Sequence, residues 1–219
     1  MAKQKAKDQE LFWILVIMAS LIVSLLVLYF VLSNLNKIEY QGLTFTKERF
    51  GEIPIYHYYY YFNSSDGQLI KYNMYLRNDP RKNDIPVEGE ISFVEGKFVY
   101  VSINSTGLNE CPQSVLAVAG LSEFLTNNLF TVKAGTPNQE EAVSNNLTYI
   151  NCDSHPDNPT ILLQSANETK ITQKDNCYII DVADCKMLES VEKFEVQSIV
   201  DAKKRVLKES RRKDLIVVQ

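Results

Sequence analysis

Residues 11–33 read LFWILVIMASLIVSLLVLYFVLS, an unbroken run of 23 residues without a charged side chain. At a rise of about 1.5 Å per residue, about 20 apolar residues cross the hydrocarbon core of a bilayer, which is about 30 Å thick. Trp13 and Tyr29 lie near the two ends of the run, where amphipathic rings favour the headgroup region. The run therefore predicts a transmembrane helix at residues 11–33.

A cleaved signal peptide is the main alternative for this segment. The apolar region of a signal peptide is shorter, about 7–15 residues, and is followed by a small-residue cleavage motif. Here the run is longer and no Ala-x-Ala follows it, although Val31-Leu32-Ser33 resembles a usable cleavage site. The sequence favours a retained anchor and leaves removal open.

The charges that flank the run indicate its orientation. Lys3, Lys5 and Lys7 precede it, whereas Lys37 is the only basic residue close behind it. Because positively charged residues are retained in the cytoplasm, we expect residues 1–10 to form a cytoplasmic basic tail and the rest of the chain to lie outside the cell membrane, as in a single-pass signal-anchor protein.

The chain after the helix is long enough for one domain, and its charge is unevenly distributed. Residues 34–202 carry 13 basic and 23 acidic side chains, and a surface this acidic repels phosphate groups, so we expect no nucleic acid as partner. We divide this part of the chain into a juxtamembrane segment (34–51), an extracytoplasmic α+β domain (52–202) and a basic C-terminal tail (203–219).

The basic tail has two interpretations. Its cations could bind an acidic partner or anionic lipid headgroups. The more conservative interpretation is the ordinary enrichment of Lys and Arg at a helix C-terminus, where they interact favourably with the helix dipole. The tail also argues against the proposed orientation, because such a segment suits the cytoplasm. Its basic residues are Lys203, Lys204, Arg205, Lys208, Arg211, Arg212 and Lys213.

The clearest pattern after the helix is a pair of aromatic and β-branched runs, Ile53–Phe62 (IPIYHYYYYF) and Gln68–Arg77 (QLIKYNMYLR). The five residues between them are turn formers, a combination typical of a β-hairpin. Pairing about Ser65 gives one wholly apolar or aromatic face, which we assign to the core, from the opposed pairs Tyr60 and Ile70, Tyr58 and Tyr72, and Tyr56 and Met74.

The opposite face of this hairpin is the strongest candidate for a binding site. Tyrosine offers a large contact area at a small entropy cost and keeps a polar tip, so such a face suits a protein or a sugar. The more ordinary expectation is that another element covers this face, because Ile55 and Leu69 also lie on it and favour burial. The candidate binding residues are His57, Tyr59, Tyr61, Lys71 and Tyr75.

The remaining pattern predicts strands, a helix, strands and a second helix. Apolar and polar residues alternate over Val87–Phe93 and Lys97–Ile103, which suggests a second hairpin. The segment Pro112–Leu129 predicts a buried helix with Pro112 near its first turn. Lys133–Asn146 reads as a loop, followed by strands at 148–152, 160–164 and 177–182, and by a long amphipathic helix from about 186 to 209. This order predicts an α+β fold: a transmembrane helix followed by a mainly antiparallel sheet, a buried helix and a long C-terminal amphipathic helix.

The four cysteines all follow the apolar run, which indicates two disulfides in an exported domain. Free thiols or a zinc site are alternatives, but no Cys-x-x-Cys spacing is present. Of the three possible pairings we favour Cys177 with Cys185 and Cys111 with Cys152, since the first two have the spacing of a strand bounded by turns.

Four Asn-x-Ser/Thr sequons, a slight excess over chance, are candidate glycosylation sites: Asn63, Asn104, Asn146 and Asn167.

Motifs of catalysis or cofactor binding are missing from the sequence. It contains no P-loop, Gly-x-Gly-x-x-Gly turn, Gly-x-Ser-x-Gly elbow or His-Glu-x-x-His helix. The two histidines, His57 and His155, are separate in the sequence, although a Ser-His-Asp triad could still assemble in space. We therefore expect no enzyme, no cofactor and no metal site.

Two segments resemble uncharacterised archaeal single-pass membrane proteins with a small exported domain: residues 38–81 (IEYQGLTF…YLRNDPR) and residues 177–185 (CYIIDVADC). The resemblance implies the same anchored architecture and brings no activity, ligand or catalytic residue.

The sequence thus leads to three hypotheses of decreasing weight. The first is a membrane-anchored extracytoplasmic binding or assembly protein, whose partners are the lipid bilayer and a protein or surface glycan. The second is an accessory subunit of a larger membrane or envelope complex. The third is a membrane-anchored hydrolase. An exposed aromatic patch would favour the first hypothesis. An apolar stripe continuous with the membrane helix would favour the second, and a His beside Ser and Asp in a cleft would favour the third.

Overall fold

A computed structural model describes residues 2–64, 66–93 and 96–217, but not the side-chain surroundings of residues 2–11, 33, 34 and 211–217. The first element is the helix α1 (Ala2–Leu35). Within it, Phe12–Leu32 form a stretch of 21 residues that is long and apolar enough to cross a membrane, and none of it is buried against the rest of the protein. The predicted N-terminal apolar helix is confirmed.

The chain after α1 forms a four-stranded antiparallel sheet with the strands in sequence order. Its strands are β1 (Lys37–Tyr40), β2 (Leu43–Phe50), β3 (Ile53–Asn63) and β4 (Leu69–Leu76). The segment expected to be juxtamembrane is therefore largely part of the sheet, and the expected boundary at residue 52 falls in the β2–β3 turn.

A tight turn separates β1 from β2. Gln41 and Gly42 both adopt positive φ angles, 48° and 78°. Two successive residues of this kind are typical of the type I′ turn that joins twisted antiparallel strands, so β1 and β2 form a hairpin.

The aromatic hairpin of β3 and β4 is confirmed, but its register differs from the expected one by two residues. Tyr60 lies opposite Tyr72 instead of Ile70, and Tyr58 lies opposite Met74. Because side chains alternate between the two faces of a strand, a shift of two residues leaves every side chain on its expected face. The face assigned to the core, with Tyr56, Tyr72 and Met74, is buried.

A second sheet has six strands, and most of its pairs are parallel. In order across the sheet the strands are β5 (Val87–Glu88), β9 (Lys170–Lys174), β10 (Cys177–Val182), β8 (Thr160–Ser165), β6 (Phe98–Ile103) and β7 (Thr131–Gly135). Only β9 and β10 pair antiparallel, whereas β5–β9, β10–β8, β8–β6 and β6–β7 are parallel. The expected mainly antiparallel arrangement therefore holds for the first sheet alone, and the expected second hairpin is wrong.

The expected helices are confirmed as α2 (Ser114–Asn127) and α4 (Met187–Val217), which contact each other. A short helix, α3 (Gln139–Ser144), and β7 occupy the segment expected to be a loop, and the strand expected at 148–152 is only an isolated bridge at Tyr149. Seven consecutive α4 residues, Ser190–Val196, are buried. A helix buried on all sides lies between other layers, and side chains of both sheets join α2 and α4 in one core.

Polar side chains of α4 hold the irregular connections of the domain in place. Glu192 accepts hydrogen bonds from the backbone N–H groups of Arg77 and Asn78. The Lys193 ammonium donates to the Tyr40 hydroxyl and to the Asn83 carbonyl, each at 2.9 Å. Buried charges are tolerated when they are hydrogen-bonded in this way. Here they hold β1 and the segment after β4, at the two edges of the first sheet, against α4.

The cysteines form two disulfides, as expected, but the favoured pairing is wrong. The bonds join Cys111 to Cys185 and Cys152 to Cys177. Cys177 begins β10, whose six extended residues span about 17 Å at 3.3 Å per residue, so Cys185 beyond its other end lies outside disulfide reach. These bonds indicate an oxidising environment for the domain.

Candidate binding surface

The structure brings together all five candidate binding residues on the outer face of β3 and β4. His57 lies opposite Tyr75, Tyr59 opposite Asn73, and Tyr61 opposite Lys71. We call the group of His57, Tyr59, Tyr61, Lys71 and Tyr75 the tyrosine face.

The tyrosine face is open to solvent. Tyr59, Tyr61 and Tyr75 are 51%, 56% and 59% exposed, and Leu69 on the same face is 64% exposed. The expectation that another element covers this face is therefore wrong. The reason lies in the layering: α2 and α4 pack on the other side of the sheet, where Tyr72 meets Phe124 edge to face at 5.9 Å.

The two faces of the hairpin also differ in the chemistry of their tyrosines. On the core side, burial raises the pKa of the Tyr60 and Tyr72 hydroxyls above their ordinary value, and the Tyr60 hydroxyl donates a hydrogen bond to Asn128. These hydroxyls are committed to the interior. The hydroxyls of the tyrosine face are at the surface, where they can serve a partner.

His57 is held in place at the centre of the tyrosine face. Its ring stacks on the ring of Tyr75, with centroids 4.7 Å apart and planes inclined by 14°. Its Nδ1 atom lies 3.0 Å from Glu48 Oε1 and its Nε2 atom 3.2 Å from Asn73 Oδ1. With both ring nitrogens engaged, the His57 ring is fixed in its orientation on the tyrosine face.

Lys71 orders the part of the tyrosine face near the end of β3. Its ammonium lies 4.3 Å from the centroid of the Tyr59 ring, a cation–π distance. The Tyr61 ring stands at 86° to the Tyr59 ring. The rings of Tyr59 and Tyr61 therefore do not form a coplanar platform.

The outer face continues beyond the predicted residues towards the beginning of β3. Ile55, Ile53 and Phe50 lie on the same face, because Ile53 pairs with Phe50 and residues two apart share a face. Phe50 is 77% exposed. Sequence reasoning missed Phe50 and Ile53 because the β2–β3 turn that places them side by side was not predicted. The Phe-Gly-Glu-Ile sequence at 50–53, with a turn-forming Gly between apolar residues, was the available signal.

The arrangement around His155 meets only part of the requirement for a hydrolase. Ser154 Oγ lies 2.7 Å from His155 Nδ1, but the same hydroxyl donates to the Asn151 carbonyl, and the His155 ring stacks on Tyr100 at 3.9 Å. Among the described residues, no carboxylate forms a hydrogen bond or an ion pair with His155. No group of three or more His, Cys, Asp or Glu side chains capable of holding a metal ion occurs in the part of the chain that the structure describes.

The other predicted sites are dispersed. Sequon residues Asn63, Asn146 and Asn167 are exposed, and Asn104 is half-buried. In the basic tail, Lys203 donates to the Gly42 carbonyl, Lys204 pairs with Asp201, and Arg205 pairs with Glu90 and donates to the Ile91 carbonyl. Lys203 and Arg205 thus fasten α4 to the domain, whereas the Lys204–Asp201 pair lies within α4. The tail residues Arg211, Arg212 and Lys213 lie outside the described side chains.

Comparison of the chain with models of protein families, with curated proteins and with solved structures finds no match.

Proposed function

We propose that the protein is a membrane-anchored, extracytoplasmic binding or assembly protein that holds a protein partner on its tyrosine face. The observation that carries the proposal is the exposure of Tyr59, Tyr61 and Tyr75 around a fixed His57. Ordered tyrosines lose little side-chain entropy on binding, and aromatic residues are enriched at protein interfaces. A glycan is the less favoured ligand, because Lys71 covers one side of the Tyr59 ring.

The proposed anchor is α1, with the N-terminus in the cytoplasm. Its support is the charge-free stretch from Phe12 to Leu32, the lysines that precede it, and the two disulfides of the domain that follows. Retention of the intact chain in membranes washed with alkaline carbonate, together with digestion of the domain by protease added outside whole cells, tests the anchor and its orientation separately.

One observation favours the second hypothesis, an accessory subunit of a membrane or envelope complex. The apolar outer face runs from Tyr61 down β3 to Ile53 and Phe50, and β2 lies beside the end of α1, where the Lys47 N–H donates to the Asn36 carbonyl. A stripe that leads from the tyrosine face to the anchor suits a partner that is itself in the membrane.

Photo-crosslinking in the native cells tests the tyrosine face directly. A benzoylphenylalanine placed at position 61 should yield a discrete higher-mass adduct of protein. The matched control places the same probe at position 115, where Val115 is 81% exposed on α2. Adding Tyr59→Ser and Tyr75→Ser should abolish the adduct at position 61, because the surrounding contact area is lost.

The outcomes separate the hypotheses. A protein adduct at position 61 and none at position 115 supports the proposal, and a further adduct from a probe at position 55 favours a partner in the membrane. An adduct that collapses on treatment with glycosidases identifies a glycan instead. Equal labelling at positions 61 and 115, or adducts that survive both serine substitutions, contradicts a specific site.

A further inference from the structure

The β2–β3 hairpin ends in a ribbon that projects from the domain. All nine residues of this ribbon, Thr46–Pro54, are exposed, whereas Leu43 and Phe45 earlier in β2 are fully buried. Phe50 and Ile53 pair across the ribbon next to its turn and are 77% and 43% exposed. The tip of the ribbon thus presents two large apolar side chains to the surroundings.

The ribbon runs back along the end of α1. Lys37 at the start of β1 lies opposite Thr46 of β2, and the antiparallel β2 continues four residues past that point, about 13 Å at 3.3 Å per residue. The Lys47 N–H donates to the Asn36 carbonyl at 2.7 Å. Leu35 and Asn36 line one cleft together with three ribbon residues, Lys47, Glu48 and Arg49.

The length of the ribbon is sufficient to reach a bilayer that contains α1. The apolar stretch ends at Leu32, four residues before Asn36, which is about 6 Å along a helix axis. Lys47 marks the level of Asn36, because its N–H bonds to the Asn36 carbonyl, and the ribbon extends three residues from there to Phe50, about 10 Å at 3.3 Å per residue. It therefore reaches the level of Leu32 at any inclination up to about 50° from the helix axis. Leu35 and Arg49 line the same cleft, which shows that the ribbon runs back beside α1.

The two faces of the ribbon differ in the way that interfacial segments require. At the tip, Phe50 and Ile53 lie on one face, and Lys47 and Arg49 lie on the other, because alternate residues face opposite sides. Glu48 lies on the face of Phe50, two residues further from the tip. Such segments bury their apolar face at the boundary of headgroups and acyl chains, while basic side chains extend to the headgroups. Since Glu48 and Glu52 balance the two cations, the contact depends on the apolar side chains and not on anionic lipid.

We propose that the tip of the ribbon, with Phe50 and Ile53, inserts into the interfacial layer of the bilayer that α1 enters. This inference rests on the proposed membrane anchor. With α1 and the ribbon both in the membrane, the domain cannot swing freely about Asn36, and the tyrosine face is held in one direction relative to the membrane plane.

Quenching of tryptophan fluorescence by brominated lipid tests the contact. The chain contains a single tryptophan, Trp13, which reports on α1 itself. The full-length protein is reconstituted in phosphatidylcholine vesicles with or without bromine on the upper part of the acyl chains. In a Trp13→Phe background, the Phe50→Trp and Ile53→Trp variants should lose at least about half of their emission on bromination, because an interfacial side chain lies at the depth of the upper acyl chains.

The matched control is Leu69→Trp in the same background. Leu69 is an exposed apolar residue at the far end of the β3–β4 hairpin, opposite Asn63 and about 33 Å along β3 from Ile53. Its emission should be unchanged by bromination. Replacing half of the phosphatidylcholine by phosphatidylserine should leave all results unchanged.

Each failure has a distinct meaning. If Trp13 of the unmodified chain is not quenched, α1 is not in the bilayer and the proposed anchor fails. If Trp13 is quenched and the Phe50→Trp variant is not, the anchor stands and the ribbon contact is wrong; a blue-shifted emission without quenching would then show that protein covers the tip. Equal quenching of the Leu69→Trp variant, or quenching only with phosphatidylserine, also overturns the proposal.

Discussion

Cys111 and Cys185 are 74 positions apart in the chain, yet their Cα atoms lie 5.2 Å apart and their sulfurs are bonded. Cys111 precedes α2 by three residues and Cys185 precedes α4 by two. The disulfide therefore joins the beginnings of the two helices that form the middle layer of the domain.

We expect this disulfide to contribute more stability than the second one. The entropy that a crosslink removes from the unfolded chain grows with the loop that it closes, which gives about 4.5 kcal/mol for Cys111–Cys185 and about 3.5 kcal/mol for Cys152–Cys177, whose separation is 25. Denaturant unfolding of the Cys111→Ala/Cys185→Ala and Cys152→Ala/Cys177→Ala variants measures both losses. A Cys177–Cys185 peptide in non-reducing mass mapping would contradict the pairing itself.

A buried carboxyl on α4 should make stability depend on pH. Burial, together with the smaller effects of the nearby charges of Glu192 and Glu123, raises the pKa of Glu195 from 4.5 to about 8. Between pH 4.5 and about 8 the folded protein keeps a proton that the unfolded chain has lost, so the free energy of unfolding falls as the pH rises through this window.

The Glu195→Gln variant tests this dependence, because it keeps the shape of the side chain and removes its ionisation. Urea unfolding at several pH values should show a shallower decline for this variant and a higher stability than wild type near pH 8. Glu168→Gln, at an exposed position, serves as the control and should follow wild type. Parallel pH profiles for the wild type and Glu195→Gln would contradict an ionising Glu195.

Replacement of Glu192 by Gln should lower the stability of the protein, in contrast to the same replacement of Glu195. Burial also raises the pKa of Glu192, to about 7, but its oxygens accept hydrogen bonds from Arg77 N, Asn78 N and Asn78 Nδ2. In Glu192→Gln one acceptor oxygen becomes an amide that faces donors, so we expect a loss of about 1–3 kcal/mol at neutral pH. Thermal or urea unfolding beside Glu195→Gln measures it, and an unchanged stability would show that these hydrogen bonds contribute nothing.

Two adjacent residues of β4 should separate the structural face of the sheet from the tyrosine face. Met74 is 1% exposed and Tyr75 is 59% exposed. Met74→Ala should lower the free energy of unfolding by about 2–5 kcal/mol, because it leaves a cavity in the core. Tyr75→Ala should cost about 1 kcal/mol or less, the range of strand propensity at an exposed position, while weakening the adduct at position 61. A large loss in Tyr75→Ala would assign the tyrosine face to folding instead of binding.

Some elements could be predicted from the sequence because their causes are local. Residues 12–32 form a helix that nothing in the domain buries, as a charge-free stretch of that length requires. The faces of β3 and β4 were correct even though their register was not, because the alternation of side chains survives a shift of two residues. The helix α4 likewise followed from its apolar periodicity, and α2 from an apolar segment with Pro112 near its first turn.

The tertiary structure alone decided which of these elements meet. Cys177 pairs with Cys152, and β8 lies parallel between β6 and β10, because the polypeptide returns to the same sheet after long connections that no local pattern specifies. The exposure of Tyr59 and the burial of Glu195 have the same origin. An alternating strand determines that its two faces differ, but only the position of α2 and α4 on one side determines which face is core and which remains available to a partner.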